Sequence, residues 1–369
     1  MTNSQIIISE DYAKTLIGRV RSRSEKSASI IELAIKRFFD GSENRNRFRG
    51  KYGFVPHNIA ISPTFWCNLS CLDCYPDSSE AESRMLSYEI IDRIVEEATT
   101  KWNVPFFTIT GGEPISHAIA IAERHPNLLF QVYTNGTLIN EKLVGRMEDL
   151  GNIVPLISIG GFRDKTDGIR GEGVYDKIMQ VMDLLTEKGV AWGISFTLTS
   201  QNADVYDDGR FLDMLIDKGS LFGRFLTYVP TGRNADSKRI PSLEQRKRQG
   251  DALRNIDSKF LTVDYLNNPG LLRGCAAGGL RFVHIDPSGD VYPCVFIPFP
   301  AKFNVINAYR GDYLKEGVEI VNLEDILTKD PLLKMTREMA LKRADDGCCL
   351  VLDKPEELKT AVKMLNLNY

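Results

Sequence analysis

Residues 58–75 read NIAISPTFWCNLSCLDCY: an apolar, β-branched run that leads straight into three cysteines, Cys67, Cys71 and Cys74. Asn58–Trp66 has the composition of a buried strand, so the cysteines stand on the loop that leaves it. Their spacing is C-x3-C-x2-C. Three thiolates on a tight loop can hold three irons of a cubane cluster and leave the fourth iron open to a small chelating molecule. Structural zinc takes four closed ligands, usually including a close cysteine pair. Three cysteines completed by a distant cysteine or histidine meet that need as well, so spacing alone leaves both metals open.

Downstream, short β-rich runs alternate with helical patterns. The runs are Asn58–Trp66, Val104–Thr110, Leu128–Thr134, Val154–Gly160, Val190–Thr199 and Phe222–Val229. Between them lie Tyr88–Thr99, with Ser87 placed as N-cap, then Glu141–Leu150 after Asn140, and Tyr175–Lys188. Strands alternating with helices predict a parallel sheet with helical crossovers, an α/β fold. The glycines and polar residues cluster where strands end: GGEP at 111–114, TNGT at 134–137, SIGG at 158–161 followed by Arg170-Gly171, and YVPTGR at 228–233. That is the C-terminal edge of each strand, the face on which parallel barrels carry their active sites. A zinc finger inserted in an unrelated domain would not produce this distribution.

With these motifs in view, residues 58–233 resemble the radical S-adenosylmethionine (SAM) superfamily. The resemblance implies a partial (βα)6 TIM-like barrel and a [4Fe–4S] cluster on Cys67, Cys71 and Cys74. That cluster binds SAM through the methionine amino and carboxylate groups. An electron from it cleaves SAM to a 5′-deoxyadenosyl radical, which abstracts a hydrogen atom from substrate. Gly111, Gly112 and Glu113 match the motif that receives the SAM amino group, and glycine suits a place that a ligand approaches closely. Asn135 is expected in the SAM pocket. Ser158 and Arg170 match polar residues that meet the ribose or carboxylate, although a surface ion pair is an equal reading of Arg170. Thr197 and Tyr228 lie on the strands where related enzymes hold adenine. The chain departs from the pattern twice. Asp73 stands where many members place an aromatic residue, with Tyr75 after the third cysteine instead, and Gly160 replaces the acid of the fourth-strand motif.

Residues 1–57 read as a helical lead-in. Ser27–Phe39 spaces Ile30, Ile31, Leu33, Ala34 and Phe38 helically within a stretch rich in arginine and lysine. A basic face toward an anionic membrane or partner is one reading, and an amphipathic helix packed on the main domain is the other. Residues 234–270 form a helical bridge, with a capping box from Ser242 to Gln245 and a turn at Asn267-Asn268-Pro269-Gly270. A small α+β unit then fills 271–369. It holds a hairpin, Arg281–Ile285 and Asp290–Val295 around Asp286-Pro287-Ser288-Gly289, a helix Glu324–Leu341 interrupted by Pro331, and a last helix Pro355–Leu365. Cys275 before the hairpin, Cys294 after it, and Cys348 and Cys349 beyond a helix resemble a SPASM or twitch extension, which implies one auxiliary [4Fe–4S] cluster. Adjacent cysteines rarely both ligate one cubane, and Cys349 is the preferred one of that pair. The apolar stretch Val295–Pro300 reads as hairpin core or as the lining of a substrate pocket.

Acidic and basic residues nearly balance, 49 against 46, so charge gives no support to a nucleic-acid partner. The first residues lack the apolar run of a signal peptide, no stretch is long enough to span a membrane, and clustered cysteines suit a reducing compartment. A cytoplasmic enzyme is expected. No long domain precedes the barrel, so none for cobalamin is expected. The partners implied are a flavodoxin- or ferredoxin-type electron donor and a peptide, lipid or small-molecule substrate. The competing reading is a non-catalytic iron–sulfur or zinc scaffold. No residue stands out as acid, base or radical quencher.

Overall fold

The structure, a computed structural model, describes residues 10–39, 42–256, 260–264, 275–342 and 349–365. The expected turn at 267–270 and Cys348 lie outside the described residues. Nine strands form one sheet: β1 (Asn58–Ile61), β2 (Phe106–Ile109), β3 (Leu129–Thr134), β4 (Ile153–Ile159), β5 (Gly193–Leu198), β6 (Phe222–Thr227), β7 (Leu261–Asp264), β8 (Phe282–Ile285) and β9 (Val291–Tyr292). Their order is β7-β6-β5-β4-β3-β2-β1-β8-β9. All neighbours are parallel except the β8–β9 pair.

Side-chain alternation decides what each face of the sheet meets. On β4, Ile153, Ile157 and Ile159 join the large core beneath the crossover helices. Val154 and Leu156 point to the barrel interior, where they pack with the N-terminal helices, and Ser158 faces the cavity above them. The crossover helices start and stop where local chemistry directs. Ser87 accepts from the Ile90 amide to open Tyr88–Trp102, which buries Ile90, Ile91, Ile94, Val95, Ala98 and Trp102. Asn140 accepts from Leu143 to open Glu141–Leu150, and left-handed Gly151 closes it.

Two features differ from the sequence expectation. The bridge is not only helical: after Leu243–Arg254, whose capping box forms in both directions, it supplies β7 against β6. The C-terminal hairpin belongs to the barrel sheet, because β8 pairs in parallel with β1 along its whole length. Its turn forms as read, with the Gly289 amide bonded to Asp286 O at 3.0 Å and the Asp286 carboxylate accepting from Ser288 and Asp290. Beyond it, Ala277, Ile297, Leu332, Leu358 and Val362 make a small second core.

The basic N-terminal segment packs on the barrel. Val20, Ala28, Ile31 and Ala34, from helices Glu10–Arg21 and Glu25–Phe39, bury against Leu129, Val154, Leu156 and Phe222 at the N-terminal end of the strands. Its cations serve that packing. Arg23 donates to Gly219 O at 3.0 Å and Arg37 to Asn127 O at 3.3 Å. Lys26 reaches Asp149 O on the last turn of Glu141–Leu150, where the helix dipole favours a positive charge. Among the described residues, no helix is long and apolar enough to cross a membrane.

Candidate active site

β1 is shorter than its apolar run because Pro63 ends the ladder. Thr64 and Trp66 then make isolated bridges to Met85 and Ser79. This delivers Cys67 to the C-terminal mouth of the barrel, its amide bonded to Ser79 O at 3.1 Å. The GGE turn after β2 lies directly behind. The Gly112 amide donates to Thr64 O at 3.0 Å and the Glu113 amide to Trp66 O at 2.8 Å. A Cβ on Gly112 would meet Trp66 O at 2.0 Å, and one on Gly111, whose φ is +112°, would meet Thr64 O at 2.3 Å. The chain's own backbone therefore comes close to both glycines, and they seat the cysteine loop while also lining the cavity.

The loop is held from its other side by residues the sequence reading assigned no role. Arg233 donates from Nε to Asp77 at 2.8 Å and from Nη1 to Ser70 Oγ at 2.9 Å and Cys71 O at 3.3 Å. Its amide bonds to Cys74 O at 2.9 Å. Gly232, at φ +73°, lets the Cys74 and Tyr75 carbonyls come within 2.3 Å of where a Cβ would stand. Asp73 forms a buried ion pair with Arg239, which also lies over the Tyr228 ring at 5.8 Å. The only signal in the sequence was the TGR at the end of the sixth run.

Cys67, Cys71 and Cys74 line one cavity of about 340 Å³ inside the mouth. Tyr75, Gly111, Gly112, Asn135, Ser158, Arg170, Thr197 and Tyr228 line it too. Glu113 does not. Its carboxylate lies behind the wall and accepts from Thr134 Oγ1 and the Asn135 amide, each at 2.6 Å, and from the Ile115 amide at 3.3 Å. Burial raises Glu113 to about 7 against these bonds. Asn135 Nδ2 reaches Cys67 Sγ at 3.7 Å and Arg170 Nη1 reaches Cys71 Sγ at 3.9 Å. Arg170 is half-buried, and its Nε is buried without a protein partner, which does not fit the surface ion pair. Tyr75 donates to or accepts from Thr110 Oγ1 at 3.0 Å and sets its ring edge-on to Phe296 at 6.0 Å.

Cys275, Cys294 and Cys349 line the same cavity from the C-terminal side, with Val295 and Phe296 between them. Ile297 of that apolar stretch is core instead. On the opposite side of the cavity, the Leu69 amide donates to Cys67 Sγ at 3.5 Å and the Ser78 amide to Cys74 Sγ at 3.3 Å. Burial pushes the Cys275, Cys294 and Cys349 thiols up, Cys349 to about 12, and pushes Cys67 up to about 11. Without a metal these are neutral thiols at pH 7, and metal binding must displace their protons.

The donors on both sides of the cavity are all thiols, the ligands that iron–sulfur clusters take. Among the described residues no three cysteine, histidine or acidic side chains converge as the ligands of one metal ion do. Thiolates on separate irons of a cubane stand further apart than thiolates around one zinc. N–H donors aimed at the sulfurs are the contacts that stabilise thiolate charge on a cluster.

Residues 61–211 match the radical SAM superfamily. Mycofactocin maturase MftC of Mycolicibacterium smegmatis is 30% identical over 256 residues, which is 63% of this chain and 62% of that protein. Fe-coproporphyrin III synthase of Methanosarcina barkeri is 28% identical over 216 residues, 54% of this chain and 53% of that one. Each match thus spans less than two thirds of the relative's length. The fold is similar to that of Streptococcus suis SuiB bound to precursor peptide SuiA, with a TM-score of 0.63 and 19% identity over 78% of this chain and 69% of that one.

Proposed function

Because the chain belongs to the radical SAM superfamily through residues 61–211, we propose that it is an enzyme that cleaves SAM reductively and abstracts a hydrogen atom from its substrate. Cys67, Cys71 and Cys74 hold the SAM-binding [4Fe–4S] cluster in this reading. Cys275, Cys294 and Cys349 hold an auxiliary one, to which Cys348 is a further candidate ligand. The observation that carries the proposal is that both thiol sets line a single cavity at the C-terminal ends of parallel strands. A structural metal needs no such shared space.

When bound, the cluster and SAM supply an electron and a 5′-deoxyadenosyl radical. The chain's own residues bind and orient. Arg170 offers its buried Nε to an anionic group such as the SAM carboxylate, and its Nη1 to the Cys71 sulfur. The Gly112 and Glu113 amides are engaged by Thr64 and Trp66, so the turn has carbonyl oxygen left for an ammonium group, which needs acceptors. Ser158 and Thr197 present hydroxyls from the inner face, Tyr228 walls off the far side, and Asn135 holds its amide on Cys67. Glu113 acts from behind, fixing the Asn135 backbone.

Among peptide, lipid and small-molecule substrates, the maturase relative and the likeness to a peptide-bound structure favour a peptide. An auxiliary cluster beside it would accept an electron from the substrate radical or hold the substrate. A flavodoxin- or ferredoxin-type protein would deliver the initiating electron, in a reducing compartment such as the cytoplasm. Anaerobic protein given SAM and dithionite should release 5′-deoxyadenosine and methionine. The Cys67→Ala/Cys71→Ala/Cys74→Ala protein should release neither. Equal release by both proteins, or none by a wild type loaded with iron, would overturn the proposal.

A further inference from the structure

A second cavity of about 210 Å³ lies at the opposite, N-terminal end of the barrel, between the inner face of the sheet and the helices Glu10–Arg21 and Glu25–Phe39. Its volume equals about seven waters at their share of the liquid. The wall is mostly apolar, with Leu16, Ile35 and Phe38 from the helices facing Leu129, Val154 and Phe222 from the strands. The described lining contains two guanidinium groups, Arg224 and Arg281, and no carboxylate. Arg224 donates to Gln131 across the barrel. Arg281 stands at the other end, beside His57, whose amide bonds to Arg281 O at 2.7 Å.

That corner carries an electrostatic imbalance. Arg45, on the helix Glu43–Tyr52, is 1% exposed, and both terminal nitrogens of its guanidinium are buried without a hydrogen-bond partner. His57 Nδ1 is likewise buried without one. Among the described residues, the charged groups that act on His57 are Arg45, Arg281 and Arg49, all cations. Together with burial, the larger cause, they push its imidazole down to about 3. The ring is therefore neutral at physiological pH and offers one N–H and one lone pair. Arg45 does not itself line the cavity, but its charge adds to that of Arg281 beside His57, and an anion there would offset the excess of positive charge.

We propose that this lower cavity binds an amphipathic anion, its charged head held by Arg281 and His57, with Arg45 behind them, and its apolar body lying against Ile35, Phe38 and Val154. The ligand class is a medium-length acyl or alkyl chain that ends in a carboxylate or a phosphate. Asn58, Ala276 and Phe282 belong to the walls of both cavities, so the site backs directly onto the candidate active site. The proposal does not depend on cluster chemistry.

Titration calorimetry of the anaerobically reconstituted protein with decanoate, decyl phosphate and decanol tests it. Either anion should bind saturably and at least about tenfold tighter than the alcohol, the least that one charge-assisted hydrogen bond provides. The tighter of the two anions identifies the head group. Ile35→Trp, which fills the cavity, should abolish binding and leave iron content unchanged. Arg281→Met, which removes the lining cation, should weaken either anion by about tenfold or more and leave decanol binding unchanged. Equal binding of decanol and the anions, no saturable binding, or wild-type anion affinity in Arg281→Met would overturn the assignment.

Discussion

Gly112→Ala isolates the step from sequence motif to cluster position. The added methyl would stand 2.0 Å from Trp66 O and 2.8 Å from the Phe65 carbonyl carbon, both backbone atoms, where ordinary contact begins at 3.4 Å. No rotamer relieves this, so the strand-end segment must move by more than an ångström. Two bonds tie that segment to the turn, Gly112 N to Thr64 O and Glu113 N to Trp66 O. Each buried donor left unsatisfied costs about 1–3 kcal/mol, so the substitution should destabilise the apo protein by about 2–6 kcal/mol. Cys67 is the next residue after Trp66, so the displacement reaches the first thiol. Denaturant midpoints of the apo protein and iron per chain after anaerobic reconstitution read both effects. Gly145→Ala is the control. It lies inside the helix Glu141–Leu150 with nothing within 4 Å of the new methyl, and should be neutral or stabilise by up to about 1 kcal/mol. Wild-type stability and iron content in Gly112→Ala would refute the claim that these glycines seat the cysteine loop.

Other perturbations read the remaining supports. Arg239→Met leaves the Asp73 carboxylate buried without its partner and should cost about 3–5 kcal/mol. Adding Asp73→Asn should recover most of that loss in a double-mutant cycle. Glu113 is raised from 4.5 to about 7 by burial, so the folded state holds its proton more tightly than the unfolded chain. Its contribution is fully present below pH 4.5 and is lost as the pH rises through about 7, a change of about 3 kcal/mol. Apo wild type should lose that much relative to Glu113→Gln between pH 4.5 and 7.5 in urea unfolding, and parallel curves would contradict it. Arg170→Leu should weaken SAM binding, measured calorimetrically, more than it lowers iron content.

The strand positions and the location of the site were legible because both are local. Leu128–Thr134 was read as a strand and forms one at Leu129–Thr134. The punctuation at 111–114, 134–137 and 228–233 sits where strands end, and the chain turns into the cavity there. The joining of β8 to β1 was not legible. The hairpin pattern shows that two strands pair with each other, while the outer edge of β8 finds a strand more than two hundred residues earlier, and no periodicity records that. β7 escaped notice because a four-residue strand in a polar stretch carries little pattern. Arg233 and Arg239 look like surface cations in sequence, and become clamps only because the sixth strand ends beside the cysteine loop. Gly111 and Gly112 were read as a place of close approach, and the crowding by Thr64 and Trp66 backbone is a part of it that the sequence does not show.

The claim that two thiol sets face one cavity is tested most directly by counting iron. Wild-type protein reconstituted without oxygen should bind about eight irons per chain if each set holds a cubane. The Cys67→Ala/Cys71→Ala/Cys74→Ala and Cys275→Ala/Cys294→Ala/Cys349→Ala proteins should each retain about four, with distinct electron paramagnetic resonance signals, and only the wild type and the second variant should show a signal that changes when SAM is added. Zinc in place of iron in all three, or a SAM-responsive signal that survives loss of Cys67, Cys71 and Cys74, would contradict the account.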